Sequence, residues 1–215
     1  MKLLTALCLI SFILFLFSCK KESTGPQDQT DTIADVVNAK MYMPLHVGNY
    51  WIYEYYYKDA SGNYVSNGSI DSVFISTDTI IHNDTFFVFQ ETSPYLDQYY
   101  SLRDSLSYLV DPGGKKLFSA ENFEDTLMTQ EIEAFHIAYK MNDKDSLISI
   151  PIGTFSTYNY KGYVYDLSVS ASPKFNYTFY AKNIGIIKRA SFYASTFSLP
   201  EPTYIEQRLI RYHVE

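Results

Sequence analysis

The chain runs to 215 residues, 47% hydrophobic and 19% charged, with 17 Lys and Arg against 24 Asp and Glu for a net charge of -7. That balance is globular and excludes a disordered chain, while 9 Gly and 8 Pro exclude collagen-like and linker-like compositions. A pI of about 5.1 argues against nucleic acid as a partner, because phosphate binding rests on clustered Lys and Arg. The 21 Tyr, 15 Phe and 1 Trp favour strands.

Lys2 opens the chain and Leu3 to Phe17 follow without a charge, the pattern of a secretory signal. The apolar run falls short of the roughly 20 residues that a membrane span needs. It ends in Leu16-Phe17-Ser18-Cys19, which resembles the lipobox of bacterial lipoproteins. The resemblance implies cleavage after residue 18 and acyl chains, palmitate among them, on Cys19, so that the protein meets the membrane through an N-terminal lipid. Cys8, the other cysteine, lies inside the removed peptide, so the mature domain is expected to hold no disulfide, thiolate nucleophile or Cys-rich zinc site.

Residues 19-40 read as the lipidated cysteine and a flexible tether, since Lys20 to Thr32 carry no aromatic or large aliphatic side chain to offset the entropy of ordering. A short helix is expected over Ile33 to Ala39, capped by Asp31 or Thr32. Lys20 stands where related enteric lipoproteins carry an inner-membrane retention Asp, so the resemblance implies the outer membrane. Lys20-Lys21-Glu22 loosely resembles the export tags of surface lipoproteins and leaves the periplasmic face and the cell surface both open. Residues 41-215 are expected to form a single β-rich domain.

Asn49 to Lys58 alternates aromatics densely and reads as a strand, turned by Ser61-Gly62-Asn63. Ile70 to Ser76 and Thr79 to Ile81 are β-branched runs, and His82-Asn83-Asp84 joins the second to Phe86 to Phe89 as a hairpin. Tyr99 to Leu102 and Leu106 to Val110 pair across Arg103-Asp104-Ser105, and Pro112-Gly113-Gly114 turns the chain. Between Ser119 and Phe135 the spacing of Phe123, Leu127, Ile132 and Phe135 predicts a short helix or irregular cover. Phe135 to Lys140 and Leu147 to Ile150 are strands separated by a turn at Asn142-Asp143-Lys144-Asp145. Aromatic parity changes at Lys161-Gly162, between Tyr158 and Tyr160 on one side and Tyr163, Tyr165, Leu167 and Val169 on the other, which predicts a bulge or bend at Gly162. Ser172-Pro173 leads into a strand through Phe175, Tyr177 and Phe179, and Ile184 to Phe192 and Tyr204 to His213 complete the set across Leu199-Pro200-Glu201-Pro202. About ten or eleven strands with little helix predict an all-β, mainly antiparallel fold, a strongly curved sheet or half-barrel, with a two-sheet β-sandwich as the alternative.

Pro44-Leu45-His46-Val47-Gly48-Asn49-Tyr50-Trp51-Ile52-Tyr53 is similar to the P-L-x-x-G-N-x-W-x-Y opening of uncharacterised envelope lipoproteins from Bacteroidota-type bacteria. Ile152-Gly153-Thr154-Phe155, and the Tyr180 to Arg189 stretch with its Y-A-x-x-I-G-I-I-K pattern, resemble their later marks. The resemblance implies a secreted β domain akin to the half-barrel of lipoprotein-carrier proteins, whose concave face covers lipid. It brings no catalytic residue.

Chemistry leaves few marks. His46, His82, His136 and His213 show neither HxH nor HExxH spacing, and no GxSxG elbow, P-loop or GxGxxG occurs. No metal, cofactor or catalytic residue is therefore assigned. Asp71, Asp78, Asp84, Asp97, Asp104 and Asp111 recur in the first half, and two facing across a cleft would suit a glycoside hydrolase, yet most sit in turn-like contexts. The aromatic strands point instead to binding: Tyr53 and Tyr55, with Tyr158, Tyr160, Tyr163 and Tyr165, are the candidate ligand surface for an apolar or glycan ligand. The alternative is an assembly lipoprotein whose sheet edges pair with another envelope protein.

Overall fold

The computed structural model describes residues 37-93, 97-168, 172-192 and 203-215. Cys19, the signal segment, the tether as far as residue 36, most of the helix expected from Ile33 and the Leu199 to Pro202 loop lie outside them, while residues 37-40 of the expected tether lie inside them. The described chain forms twelve strands: β1 Tyr50–Lys58, β2 Tyr64–Ile81, β3 Asp84–Thr92, β4 Asp97–Ser105, β5 Tyr108–Val110, β6 Lys116–Ser119, β7 Met128–Ile132, β8 Phe135–Ile150, β9 Gly153–Asp166, β10 Lys174–Ala181, β11 Gly185–Phe192 and β12 Tyr204–His213. All belong to one antiparallel sheet in the order β6-β5-β4-β3-β2-β1-β12-β11-β10-β9-β8-β7. Two six-strand meanders thus join where the first and last strands pair. The outer edges β6 and β7 follow each other in sequence, so the sheet rolls until they face, nearly closing a barrel. This is the curved all-β sheet expected, and one continuous sheet replaces the sandwich alternative.

Local chemistry explains the turns. His82 and Asn83 both take positive φ, 51° and 68°, the primed hairpin geometry whose twist matches the flanking strands. The turn expected at Arg103 to Ser105 falls instead at Leu106-Ser107, with Leu106 at φ 56°. β2 runs unbroken through Ser76 to Thr79, absorbing the expected interruption as a register shift between Ile75 and Thr77.

Two other expectations are corrected. Asn142 to Asp145 is no turn: β8 passes straight through it with register shifts at Met141/Asp143 and Asp143/Ser146, so the polar cluster supplies extra residues that bulge from a long strand. Gly162 carries no bulge, because its pairing is regular with Tyr139 on one side and Asn176 on the other. Tyr160, Gly162 and Val164 all face inward while Tyr163 faces out, so the parity change marks aromatics changing face along a regular strand. Gly162 serves a close approach: a Cβ there would sit 2.8 Å from a Tyr139 ring carbon. Of the short helix or irregular cover expected over Ser119 to Phe135, the irregular cover forms as far as Leu127, with Phe123 and Leu127 packed on the core, and β7 then pairs with β8.

The core fills one end of the barrel around Trp51, Phe89, Phe118, Leu109 and Leu209, each 0% or 1% exposed. A 3-10 turn, Ala39–Met41, capped by Asn38, plugs that end. Ala39 N–H donates to Leu106 O at 3.0 Å, and Tyr42 stacks on Tyr158 at 4.3 Å. The opening and closing segments meet here too. Trp51 Nε1 donates to Ile184 O at 2.6 Å and the Tyr53 hydroxyl to Ile186 O at 2.8 Å. Gly185, at φ +107°, leaves room for the indole, since a Cβ would lie 3.0 Å from Nε1.

Candidate ligand cavity

Above the plugged end the barrel interior is not filled. A cavity of about 540 Å³ remains, within the roughly 300-1,000 Å³ that small-molecule sites occupy. One part of its wall is apolar, formed by Met43, Leu102, Leu109, Leu117 and Ile186, with Tyr139, Tyr160 and Tyr180 beside them. The other part is polar and follows from register. Gln98 on β4 pairs with Glu91 on β3, Tyr55 on β1 with Gln207 on β12, Gln207 with Arg189 on β11, and Arg189 with Thr178 on β10. Asp71 on β2, opposite Tyr53, bridges the two halves by accepting from Gln207 Nε2 at 2.6 Å. Neighbouring strands therefore each turn a polar side chain inward at one level, forming a belt between two apolar zones. A second hollow of about 190 Å³ shares Arg189 and Gln207 with the first.

Electrostatics at the belt are balanced. Asp71 is 0% exposed, and burial, then the neighbouring Glu91 carboxyl, pushes its pKa up to about 7. Its Oδ1 finds no donor and lies against Glu91, so a proton held on Asp71 and donated to Glu91 satisfies both groups. Burial works against the charge of Arg189, but the facing Tyr53, Tyr100 and Glu91 offset it and hold the guanidinium above its ordinary value. One cation, one anion and one shared proton leave the belt near neutrality. Arg189 Nη1 reaches Glu91 and Gln207 only at 3.5 Å each, and its ring contact with Tyr53 is at 5.4 Å. Tyr100 also hydrogen-bonds this guanidinium, which carries five donors, so N–H groups remain for a guest. Burial raises the hydroxyl pKa of Tyr160 and Tyr180, and Tyr160 Oη has no partner.

The candidate residues from sequence divide between the two faces. Tyr53 and Tyr55 face inward, the latter accepting from Gln207 Nε2 at 2.9 Å. Tyr160 lines the cavity, while Tyr158 belongs to the plug contact. Tyr163 and Tyr165 face outward, with the Tyr163 hydroxyl donating to Asn142 at 2.8 Å. Sequence reasoning missed Glu91, Tyr100, Tyr180, Arg189 and Gln207. The signal was present in Ile186-Ile187-Lys188-Arg189, where two adjacent cations end an apolar strand and alternation must turn one of them inside.

The carboxyl pair is unsuited to glycoside hydrolysis. Asp71 and Glu91 share a hydrogen bond, whereas carboxyls flanking a glycosidic bond stand about 5 Å apart or more. His46 and His213 both approach Glu215 at 3.4 Å on the surface; among the described residues no group of three such side chains is placed to hold a metal ion, and no helix is long and apolar enough to cross a membrane.

No family model and no curated protein matches the chain. Two solved structures are similar to it. One is from Bacteroides fragilis, named for inferred export and a YmcC-like fold, at 11% identity over 80% of this chain and 99% of that one, with a TM-score of 0.49. The other, named as an inferred lipoprotein of Parabacteroides distasonis, is 14% identical over 80% and 98% of the two chains, with a TM-score of 0.48.

Proposed function

We propose that the protein is an outer-membrane lipoprotein, held by acyl chains on Cys19, whose barrel binds a small amphipathic ligand without transforming it. The amphipathic cavity carries this reading. An apolar tail fits among Leu102, Leu109, Leu117 and Ile186, and an uncharged polar head meets the Arg189 and Gln207 end. A charged head is disfavoured, because the belt is already neutral and a second ion would be buried unpaired. The two carboxyls beside the cavity, Asp71 and Glu91, are tied to each other, which suits retention of a ligand better than chemistry on it.

Titration of the full chain, solubilised in mild detergent, with the neutral fluorophore N-phenyl-1-naphthylamine tests this. Saturable binding near one probe per chain is expected. Thr178→Trp, which adds an indole to the cavity wall, removes the binding while thermal unfolding stays cooperative. Absence of saturable binding, or binding indifferent to T178W, refutes the proposal.

A further inference from the structure

The outer face of the same strands carries a second set of aromatics, of which Phe179 also packs in part against the core cluster. Tyr177 and Phe179 on β10 lie parallel, 6.1 Å apart at 8°, and Tyr204 on β12 tilts against Tyr177 at 6.2 Å. With Tyr64 they wall a cleft of about 240 Å³ whose floor is Ala190. At its base Glu206, 5% exposed, binds Lys188 Nζ at 2.7 Å through one oxygen and Arg208 at 2.7 Å through the other. The Tyr64 hydroxyl also hydrogen-bonds this carboxylate.

The polar groups left facing the cleft are donors. Glu206 is saturated, whereas a Lys ammonium has three N–H groups and Lys188 gives one to Glu206. Tyr204 hydrogen-bonds the Tyr177 hydroxyl, and a tyrosine that accepts keeps its own O–H to give. Charge points the same way. Lys58, Lys161, Lys188 and Arg208 lie over rings of this face, against Glu54, Glu206 and, beside Lys161, Asp143. This slight positive excess stands on a chain of net charge -7.

We infer that this cleft binds one ring of an acidic saccharide, its C–H face stacked on Tyr177 and Phe179 and its carboxylate held by Lys188. Parallel ring faces suit the apolar face of a pyranose, the donor-only base suits an acceptor-rich guest, and the volume falls below the range of drug-sized ligands and admits a single ring. The parallel surface ends at this pair, because Phe175 is tilted 52° from Tyr177 and Tyr163 stands at 89° to Phe175, with Lys161 over the Phe175 ring at 3.8 Å. The inference stands apart from the cavity: side chains of the cleft point to the opposite face of the sheet from Thr178, Arg189 and Gln207.

Native affinity electrophoresis of the detergent-solubilised full chain reads this out, using gels containing polygalacturonate, alginate or hyaluronate, with methyl-esterified polygalacturonate as the uncharged counterpart. Retardation by at least one acidic polymer and not by the ester is expected. Lys188→Gln and the pair Tyr177→Ala with Phe179→Ala each weaken it about tenfold, and Tyr177→Phe, a milder change that keeps the ring, weakens it less. T178W leaves it intact, which separates this site from the cavity. Migration unaffected by all three acidic polymers overturns the inference, as does equal retardation by the ester or wild-type retardation of the Tyr177 and Phe179 double variant.

Discussion

Replacing Asp71 with Asn tests the shared proton at the belt. An amide matches the protonated acid group for group: its N–H donates to Glu91 as the carboxyl proton does, and its oxygen still accepts from Gln207. The wild-type group titrates at about 7 when folded, against an ordinary value of 3.8. Between those pH values the folded chain keeps a proton that the unfolded chain has released, so stability falls as pH rises through this window and levels off above it. At about 1.4 kcal/mol for each pH unit, the loss amounts to about 4 kcal/mol, of which about 3 falls between pH 5 and 8. These are upper figures. Urea unfolding followed by the single, buried Trp51 measures it. D71N and wild type should be alike below the ordinary value of 3.8, with the variant more stable by about 1.5 kcal/mol at pH 5 and by up to about 4 kcal/mol at pH 8. Parallel pH profiles, or a variant less stable than wild type at pH 8, would show that Asp71 is ionised in the fold.

Gly162→Ala drives a methyl to 2.8 Å from the Tyr139 ring and should cost about 1-3 kcal/mol as overpacking; urea unfolding should show most of this restored when Tyr139→Leu accompanies it, and additive losses would contradict the contact. Gly185→Ala combines a left-handed backbone with a close approach to Trp51, so a loss of about 3 kcal/mol is expected in the same assay. Trp51→Phe strands the Ile184 carbonyl that now accepts from the indole and should lower stability by at least about 1-3 kcal/mol. Cys19→Ala removes the acyl acceptor, and each acyl CH₂ contributes about 0.8 kcal/mol of membrane affinity. The variant should leave the membrane pellet after detergent-free ultracentrifugation, and continued sedimentation with membranes would place the anchor elsewhere.

Strand identity was legible wherever one face is apolar and the turn chemistry is explicit, as at β1, at the His82-Asn83 hairpin and along β12, whose bounds match those expected. Legibility failed where polar residues interrupt a long strand. Asn142 to Asp145 carries every local mark of a turn, yet β9 supplies a continuous partner on which the insertions bulge, and nothing in the local sequence announces that partner. The spacing of Phe123 and Leu127 left helix and irregular cover both open for a related reason: the core against which these side chains pack exists only once the sheet has rolled. The Tyr158 to Tyr165 grouping assumed that aromatics seek one side. This protein places them on both, so hydrophobic parity alone could not tell inside from outside.

That double use of aromatics ties the two proposed sites to one geometric fact. Lys188 and Arg189, Glu206 and Gln207, and Tyr177 and Thr178 are adjacent pairs in which the first member faces the outer cleft and the second the cavity. The period of a strand is two, so a slip of one residue in β11 or β12 would exchange the sets and bury Lys188 and Glu206 in place of Arg189 and Gln207. The register shift between Phe179 and Tyr180, which leaves Ile187 as the extra residue on β11, forbids that exchange. On the C-terminal side of this bulge Lys188 and Arg189 hold the parity the two sites need, and on its N-terminal side Ile186 returns to the cavity wall. Ile187 itself is 0% exposed, so straightening the strand would tear a large side chain from its packing. Burial of one apolar residue thereby fixes which charges face a guest inside the barrel and which face one outside it.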